Sequence, residues 1–255
     1  MNVTKVETKE STKHCCGNGW GLKDSAEHEG EGRALIDQRI TENNSANADR
    51  RGYGMLEEIV SAENLNRAYK RVKKNKGAGG VDGMKVDELL QYLRDNGEEI
   101  RQTILAGKYQ PKPVRRVEIP KDNGKTRKLG IPTAVDRVIQ QAIAQQLVPI
   151  YEPLFSDDSY GYRPNRSAQQ AIQKVKLYAE QGYTSAVLVD LSKYFDTLNH
   201  ELLMNLLRKN IHDKRVIELI KRYLKAGVME NGLLIKTTEG SPQGGPLSPL
   251  LANIY

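Results

Sequence analysis

The chain has two cysteines in 255 residues, and they are adjacent, Cys15 and Cys16. Two neighbouring thiols can build neither a disulfide framework nor a four-ligand zinc site. His14 and His28 nearby add no more than an incidental place for a stray metal. No apolar run is long enough to cross a bilayer, and the first residues lack the apolar centre of a secretory signal, so a cytoplasmic protein with no membrane partner is expected. Core-forming material is also missing from the start. Residues 1–52 are dominated by Asn, Ser, Thr, Gly, Glu and Lys, and read as a polar leader that is disordered or depends on a partner. Trp20 is its one loose anchor, and residues 34–40 its one short amphipathic piece.

What is present is positive charge, unevenly placed. The net charge of +7 and a pI near 9.2 permit a polyanionic partner without requiring one. Position says more. Residues 1–50 carry seven Lys or Arg against nine Asp or Glu, whereas residues 108–128 carry eight positive side chains against Glu118 and Asp122. A concentration of that kind is the electrostatic signature of nucleic-acid contact. The length allows one large core or two modest ones.

From Met55 the pattern turns helical. Leu56, Ile59 and Val60 open it, Ser61 can cap a second helix with Asn64 three positions on, and Leu65, Ala68, Tyr69 and Val72 continue the stripe. The basic end, Lys70, Arg71, Lys73, Lys74 and Lys76, leads into a loop with Gly77, Gly79 and Gly80. Such a loop admits a phosphate backbone closely, with the five cations facing it; a solvated basic helix end explains the same pattern. A helical region over residues 86–105 is expected to break near Asn96 and Gly97. Two strands joined by a turn at 122–124 then make a basic hairpin over 114–132, with Arg115, Val117 and Ile119 on one face and Arg116 and Glu118 on the other. Thr133 caps a helix that reaches Pro149, and Arg163 and Arg166 bracket a turn before another helix from Ser167 to about Glu180.

Residues 185–189, SAVLV, have the β-branched, apolar character of a strand buried at the centre of a sheet, and they deliver Asp190 at its carboxyl end. An acid so placed suits a divalent metal, since polar groups rarely end up there without a partner; it also suits the first position of a turn. Tyr194, Phe195 and Asp196 follow, then a helix capped by Thr197 or Asn199 and a second beginning at Asp213 and stopped by Gly227. Asn231-Gly232 signals another hairpin. Residues 240–249 form a Gly/Pro loop in which the Gln243 amide can hydrogen-bond a base, a sugar or a backbone group, and a helix begins at Leu247.

Six stretches in this order carry a resemblance: NKGAGGVDG at 75–83, RRVEIPK at 115–121, RKLGIPTAVDRVIQQAI at 127–143, YGYRPNRSAQQAI at 160–172, VDLSKYFDTLNH at 189–200 and GSPQGGPLSPLLANIY at 240–255. The sequence resembles the amino-terminal part of bacterial group II intron-encoded reverse transcriptases and maturases. The resemblance implies an α+β fold, helix-rich, with the fingers and partial palm of a right-hand polymerase and a basic β-hairpin. Its divisions would be an amino-terminal extension and fingers entry at 53–83, fingers at 84–182 and the first part of the palm at 183–255.

The resemblance further implies RNA-directed DNA polymerisation with two magnesium ions, on an RNA template with a DNA primer and deoxynucleoside triphosphates. Asp190 would be the catalytic metal ligand, with the Leu191 carbonyl as a further ligand beside the nucleotide. Lys121 and Arg127 would hold the triphosphate, a task suited to one mobile point charge and one two-pronged donor. Phe195 would lie under the sugar and exclude a 2′-hydroxyl, Asp196 would support the backbone, and Gln243 would position the nucleotide. Intron RNA would meet Lys70, Arg71, Lys73, Lys74, Lys76, Arg115, Arg116, Arg163 and Arg166.

The second acidic motif of the family, Tyr-Ala-Asp-Asp, does not occur in these residues. The expectation is therefore a piece of a longer enzyme that binds RNA without polymerising alone, meets target DNA through other regions, and self-associates where apolar surface is uncovered. A splicing cofactor without polymerase chemistry, and a reverse transcriptase working outside introns, remain the alternatives.

Overall fold

The computed structural model describes residues 54–120 and 126–255; the leader with Trp20 and the paired cysteines, the 122–124 turn and Lys121 lie outside the described residues. The stripe from Met55 forms α1 (Met55–Ile59) and α2 (Ala62–Asn75), divided at Ser61, whose hydroxyl accepts from the Asn64 amide as a helix cap. Asn64 also joins α2 to α4 (Ala134–Tyr151). Its side-chain amide donates to the Ile59 and Ala142 carbonyls at 2.9 and 3.0 Å, and its oxygen accepts from Gln145 at 2.8 Å. A buried amide with all these partners satisfied holds the two helices in register.

α3 (Leu89–Leu105) runs unbroken through Asn96 and Gly97, where the sequence suggested an interruption. One glycine inside a helix costs about 1 kcal/mol. Here Gln91 donates to Asp95 at 3.0 Å and Gln102 to Glu98 at 2.6 Å on either side of it, while Leu89 and Ile104 are buried near the two ends.

β1 (Val114–Pro120) and β2 (Thr126–Ile131) pair antiparallel, from Arg115 opposite Ile131 to Pro120 opposite Thr126. The chain then passes through α4, which continues past Pro149 to Tyr151, and a 3-10 turn (Glu152–Leu154). α5 (Ala168–Glu180) starts in a reciprocal cap between Ser167 and Gln170. α6 (His200–Arg208) is capped by Asn199, and α7 (Lys214–Lys225) by Asp213. β3 (Val228–Glu230) and β4 (Leu233–Ile235) make a short hairpin, and α8 (Ser248–Ile254) follows. The two hairpins combine, a union the local patterns did not announce. β1 pairs parallel with β3, giving a mixed sheet of order β2-β1-β3-β4. The fold is a helix-rich α+β arrangement in which α4, buried along most of its length, shares one core with Leu56 and Ile59, with Leu203, Met204 and Leu207, and with Leu251.

The buried strand expected at 185–189 does not form. Val187, Leu188 and Val189 are 91%, 97% and 81% exposed, and the segment has no regular structure. Apolar, β-branched residues favour a strand only when a neighbour receives their backbone groups. Among the described residues, no strand pairs with this one.

Candidate functional site

The loop at 240–247 brings together residues far apart in sequence. Its Gln243 carbonyl accepts from the Gly130 amide of β2 at 2.7 Å, which fixes the loop against the basic hairpin. The Gln243 side-chain oxygen accepts from Arg127 Nε at 2.8 Å. Two of the residues assigned to the nucleotide are thus in direct contact, with Arg127 exposed and Gln243 half-buried. Ser241 and Ser248 hydroxyls lie 2.9 Å apart, and Ser248 donates to the Pro242 carbonyl at 2.8 Å, so the root of the loop is buried and braced.

The same loop grips the segment bearing Phe195. The Ser241 amide donates to the Phe195 carbonyl and the Gly240 amide to the Leu198 carbonyl, both at 2.7 Å. Gly240 has φ +81°, and a Cβ there would stand 2.6 Å from the Asp196 carbonyl oxygen, so only glycine fits. Asp196 therefore serves as a wall for the loop. Phe195 is half-buried between edge-on neighbours, with ring centroids 6.3 Å from Tyr162 and 6.1 Å from Tyr194. Tyr194 is anchored through its hydroxyl to the Ala252 carbonyl at 2.8 Å.

Asp190 and Leu191 precede this turn on the exposed segment, and neither belongs to a regular element. The described residues include no group of three His, Cys, Asp or Glu side chains suited to a metal. One carboxylate and one carbonyl do not make a cradle for two magnesium ions, each of which seeks six oxygens in near-octahedral array.

The basic residues divide into two sets. Lys70, Arg71, Lys73, Lys74 and Lys76 are exposed along the end of α2 and just beyond it. No ion pair among the described residues uses them. The other four are turned onto the protein itself. Arg115 forks onto the Gly79 carbonyl at 3.0 and 2.8 Å, and Arg137 donates to the Lys76 and Ala78 carbonyls at 3.2 and 3.0 Å. A Cβ on Gly80 would stand 2.6 Å from Thr133 Cα. The glycine loop is thus shaped for packing against α4, which corrects its reading as a phosphate cradle. Arg116 faces Glu230 at 3.8 Å, and Arg166 holds the Asp157 carbonyl and carboxylate at 3.0 and 3.2 Å.

Arg163, expected at an RNA surface, is instead buried. It donates to the Glu152 carboxylate at 3.0 Å, to the Ser159 carbonyl at 3.0 Å and to the Ser156 carbonyl, with its guanidinium over the Phe155 ring. With these donors spent on its own loop, it shapes the turn before α5.

Sequence reasoning missed Asp136. Buried at the start of α4, it accepts from the Tyr109 hydroxyl at 2.8 Å, the Tyr223 hydroxyl at 3.1 Å, the Thr133 hydroxyl at 2.7 Å and the Lys112 amide at 3.3 Å. It joins the segment entering β1 to α7 and to the cap of its own helix. Burial pushes its carboxyl up, against the lowering effect of these hydrogen bonds; burial and the nearby carboxylate raise both tyrosines. The available signal was Thr133-x-x-Asp136, a helix-start pattern with an acid three residues after its cap.

With this geometry in view, the reverse transcriptase (RNA-dependent DNA polymerase) family signature matches residues 119–255. The chain is 44% identical to protein YkfC of Escherichia coli, over 78% of this chain and 54% of that protein. It is 39% identical to the group II intron-encoded protein LtrA of Lactococcus lactis, over 86% of this chain and 36% of that protein. The chain thus spans about half the length of the first and about a third of the second. A partial Cas6-RT-Cas1–Cas2 complex shares the fold, with a TM-score of 0.54 and 24% identity over 78% of this chain and 33% of that one. No described helix is long and apolar enough to cross a membrane.

Proposed function

The chain belongs to the reverse transcriptase family, and from that premise we propose that it is the nucleotide-facing and RNA-binding part of a group II intron RNA-directed DNA polymerase that also acts as a maturase. The contact between Arg127 and Gln243 carries this reading. It unites a cation of the basic hairpin with an amide of the Gly/Pro loop, and that loop is tied by hydrogen bonds to the Phe195 turn. A charged triphosphate, a sugar and a base thus each have a suitable neighbour: Arg127 for the phosphates, Phe195 for the deoxyribose and Gln243 for orientation. Asp190 contributes one carboxylate toward divalent metal. By themselves these residues bind RNA and do not extend a primer, since one carboxylate cannot hold two metal ions.

The five exposed cations of α2 and its end support a second activity, salt-dependent binding of structured intron RNA. They do not depend on the Asp190 segment, so a splicing cofactor without polymerase chemistry is the alternative.

Primer extension on an RNA template, with the polymerase that carries this chain, tests the reading. Deoxynucleotide incorporation by the wild type, with loss in a folded Asp190→Asn variant and retained RNA affinity, is the expected result. If neither protein copies the template while both bind intron RNA tightly, the splicing-cofactor reading replaces it.

A further inference from the structure

His200 is the first residue of α6 and is 4% exposed, between the buried Leu198 and the buried pair Leu203 and Met204. Its Nε2 lies 2.7 Å from the Gly240 carbonyl oxygen. A carbonyl only accepts, so the proton of this bond sits on Nε2, and in the neutral ring Nδ1 is then bare. Nδ1 is buried with no hydrogen-bond partner among the described residues. The ring's one polar contact is therefore directed at Gly240.

That residue is held at three points by the stretch after Phe195. Its amide donates to Leu198, its Cα lies against Asp196 with no space for a side chain, and its carbonyl accepts from His200. The next amide, Ser241, closes on Phe195. Of these contacts only the histidine comes from a side chain, and it is mounted on a capped, buried helix start rather than on a turn. We infer that His200 is a positioning residue: by holding Gly240, it sets how far Gln243 stands from Phe195 and thereby the discrimination between deoxyribose and ribose. The sugar part of this inference rests on the reading above, that Phe195 and Gln243 face the incoming nucleotide.

Three measurements decide it, the first two on the 255-residue chain. Nitrogen-resolved NMR of the wild-type histidine rings should show His200 protonated at Nε2 and bare at Nδ1; a ring protonated at Nδ1 alone could not donate to Gly240 and would overturn the clamp without any variant being made. Amide exchange at Gly240 and Ser241 should accelerate about tenfold in His200→Leu, the effect of losing one buried hydrogen bond, while α4 keeps its protection. His200→Gln, whose amide nitrogen can reach the position of Nε2, should restore most of that protection, as a purely space-filling role would not require. Unchanged exchange in His200→Leu would sink the proposal.

Competition of dATP and ATP for the site in the polymerase that carries this chain, with magnesium and a primer–template duplex present, supplies the third arm. The wild type and His200→Gln should prefer dATP, and His200→Leu should move toward parity. Retained preference in a folded His200→Leu overturns the sugar role. If no protein binds either nucleotide, the nucleotide reading fails, while the NMR and exchange results still decide the clamp.

Discussion

Two of the chain's Val-Asp dipeptides, Val135-Asp136 and Val189-Asp190, meet opposite outcomes. Asp136 is buried under two tyrosines, a threonine and a backbone amide, on a helix whose polar and apolar faces are both covered. Asp190 is exposed on a segment whose valines and leucines are also exposed. Local sequence therefore does not decide whether a carboxylate is structural or available. Donors arriving from distant elements decide it, and a carboxylate already surrounded by protein donors has no capacity left for a metal or a nucleotide.

Paired substitutions should separate the two most widely. Asp136→Ala removes the acceptor for three side-chain hydroxyls and one amide, and should cost about 3–5 kcal/mol because each buried donor left unmatched carries its own desolvation penalty. Asp190→Ala should stay within about 0.5 kcal/mol, as surface changes do. Urea unfolding of both variants gives the comparison directly; equal losses would mean that Asp190 is packed into the fold in solution.

A third carboxylate sharpens the contrast through pH. Burial pushes Asp213 up, but hydrogen bonds from the Arg215 side chain, the Leu56 amide and the Arg215 amide outweigh it and hold the group below its ordinary value. Hydrogen bonding to Arg215 lowers Glu57 as well. Arg215 meets the Glu57 carboxylate through two bonds of 2.6 and 2.7 Å, and thereby ties α1 to the start of α7. Groups with lowered values stabilise the fold above their unfolded range and lose that contribution as pH falls through the folded value. Asp136 has the opposite sign: its raised value gives a contribution present below the unfolded range and lost as pH rises through the folded one. Arg215→Met should therefore cost about 1–2 kcal/mol at neutral pH, a modest figure because the pair with Glu57 is largely exposed, and the deficit should shrink as pH falls below about 4. A deficit that grows on acidification would contradict this assignment.

Much of the scaffold was legible in sequence because capping is local. Ser61, Thr133, Ser167, Asn199 and Asp213 each accept from an amide two or three residues on, and these caps mark the starts of five helices. Both hairpins were legible for the same reason. Their parallel union through β1 and β3 was not, because Val114 and Val228 lie far apart in sequence and the pairing leaves no periodic trace. The site divided along the same line. Gln243 and Arg127 could each be selected from sequence, but their contact could not. Arg163 misled because a guanidinium attracts RNA and its own carbonyls by the same chemistry, and only the turn geometry decides which receives it.

The smallest expected effect tests the least legible segment. Leu147 and Leu188 are the same residue type at 0% and 97% exposure. Leu147→Ala should cost about 2–5 kcal/mol, from the lost transfer energy and the cavity left in the core. Leu188→Ala should change stability by no more than about 0.5 kcal/mol, since its side chain already faces water. Amide exchange sharpens the point, because among the described residues no strand lies beside residues 185–189 to protect their backbone, and they should exchange far faster than α4. Strong protection at Leu188, with a measurable loss in Leu188→Ala, would mean that a partner surface covers this segment in solution. Dilution would then identify its source: protection by a second copy fades as concentration falls, whereas protection from within one chain persists.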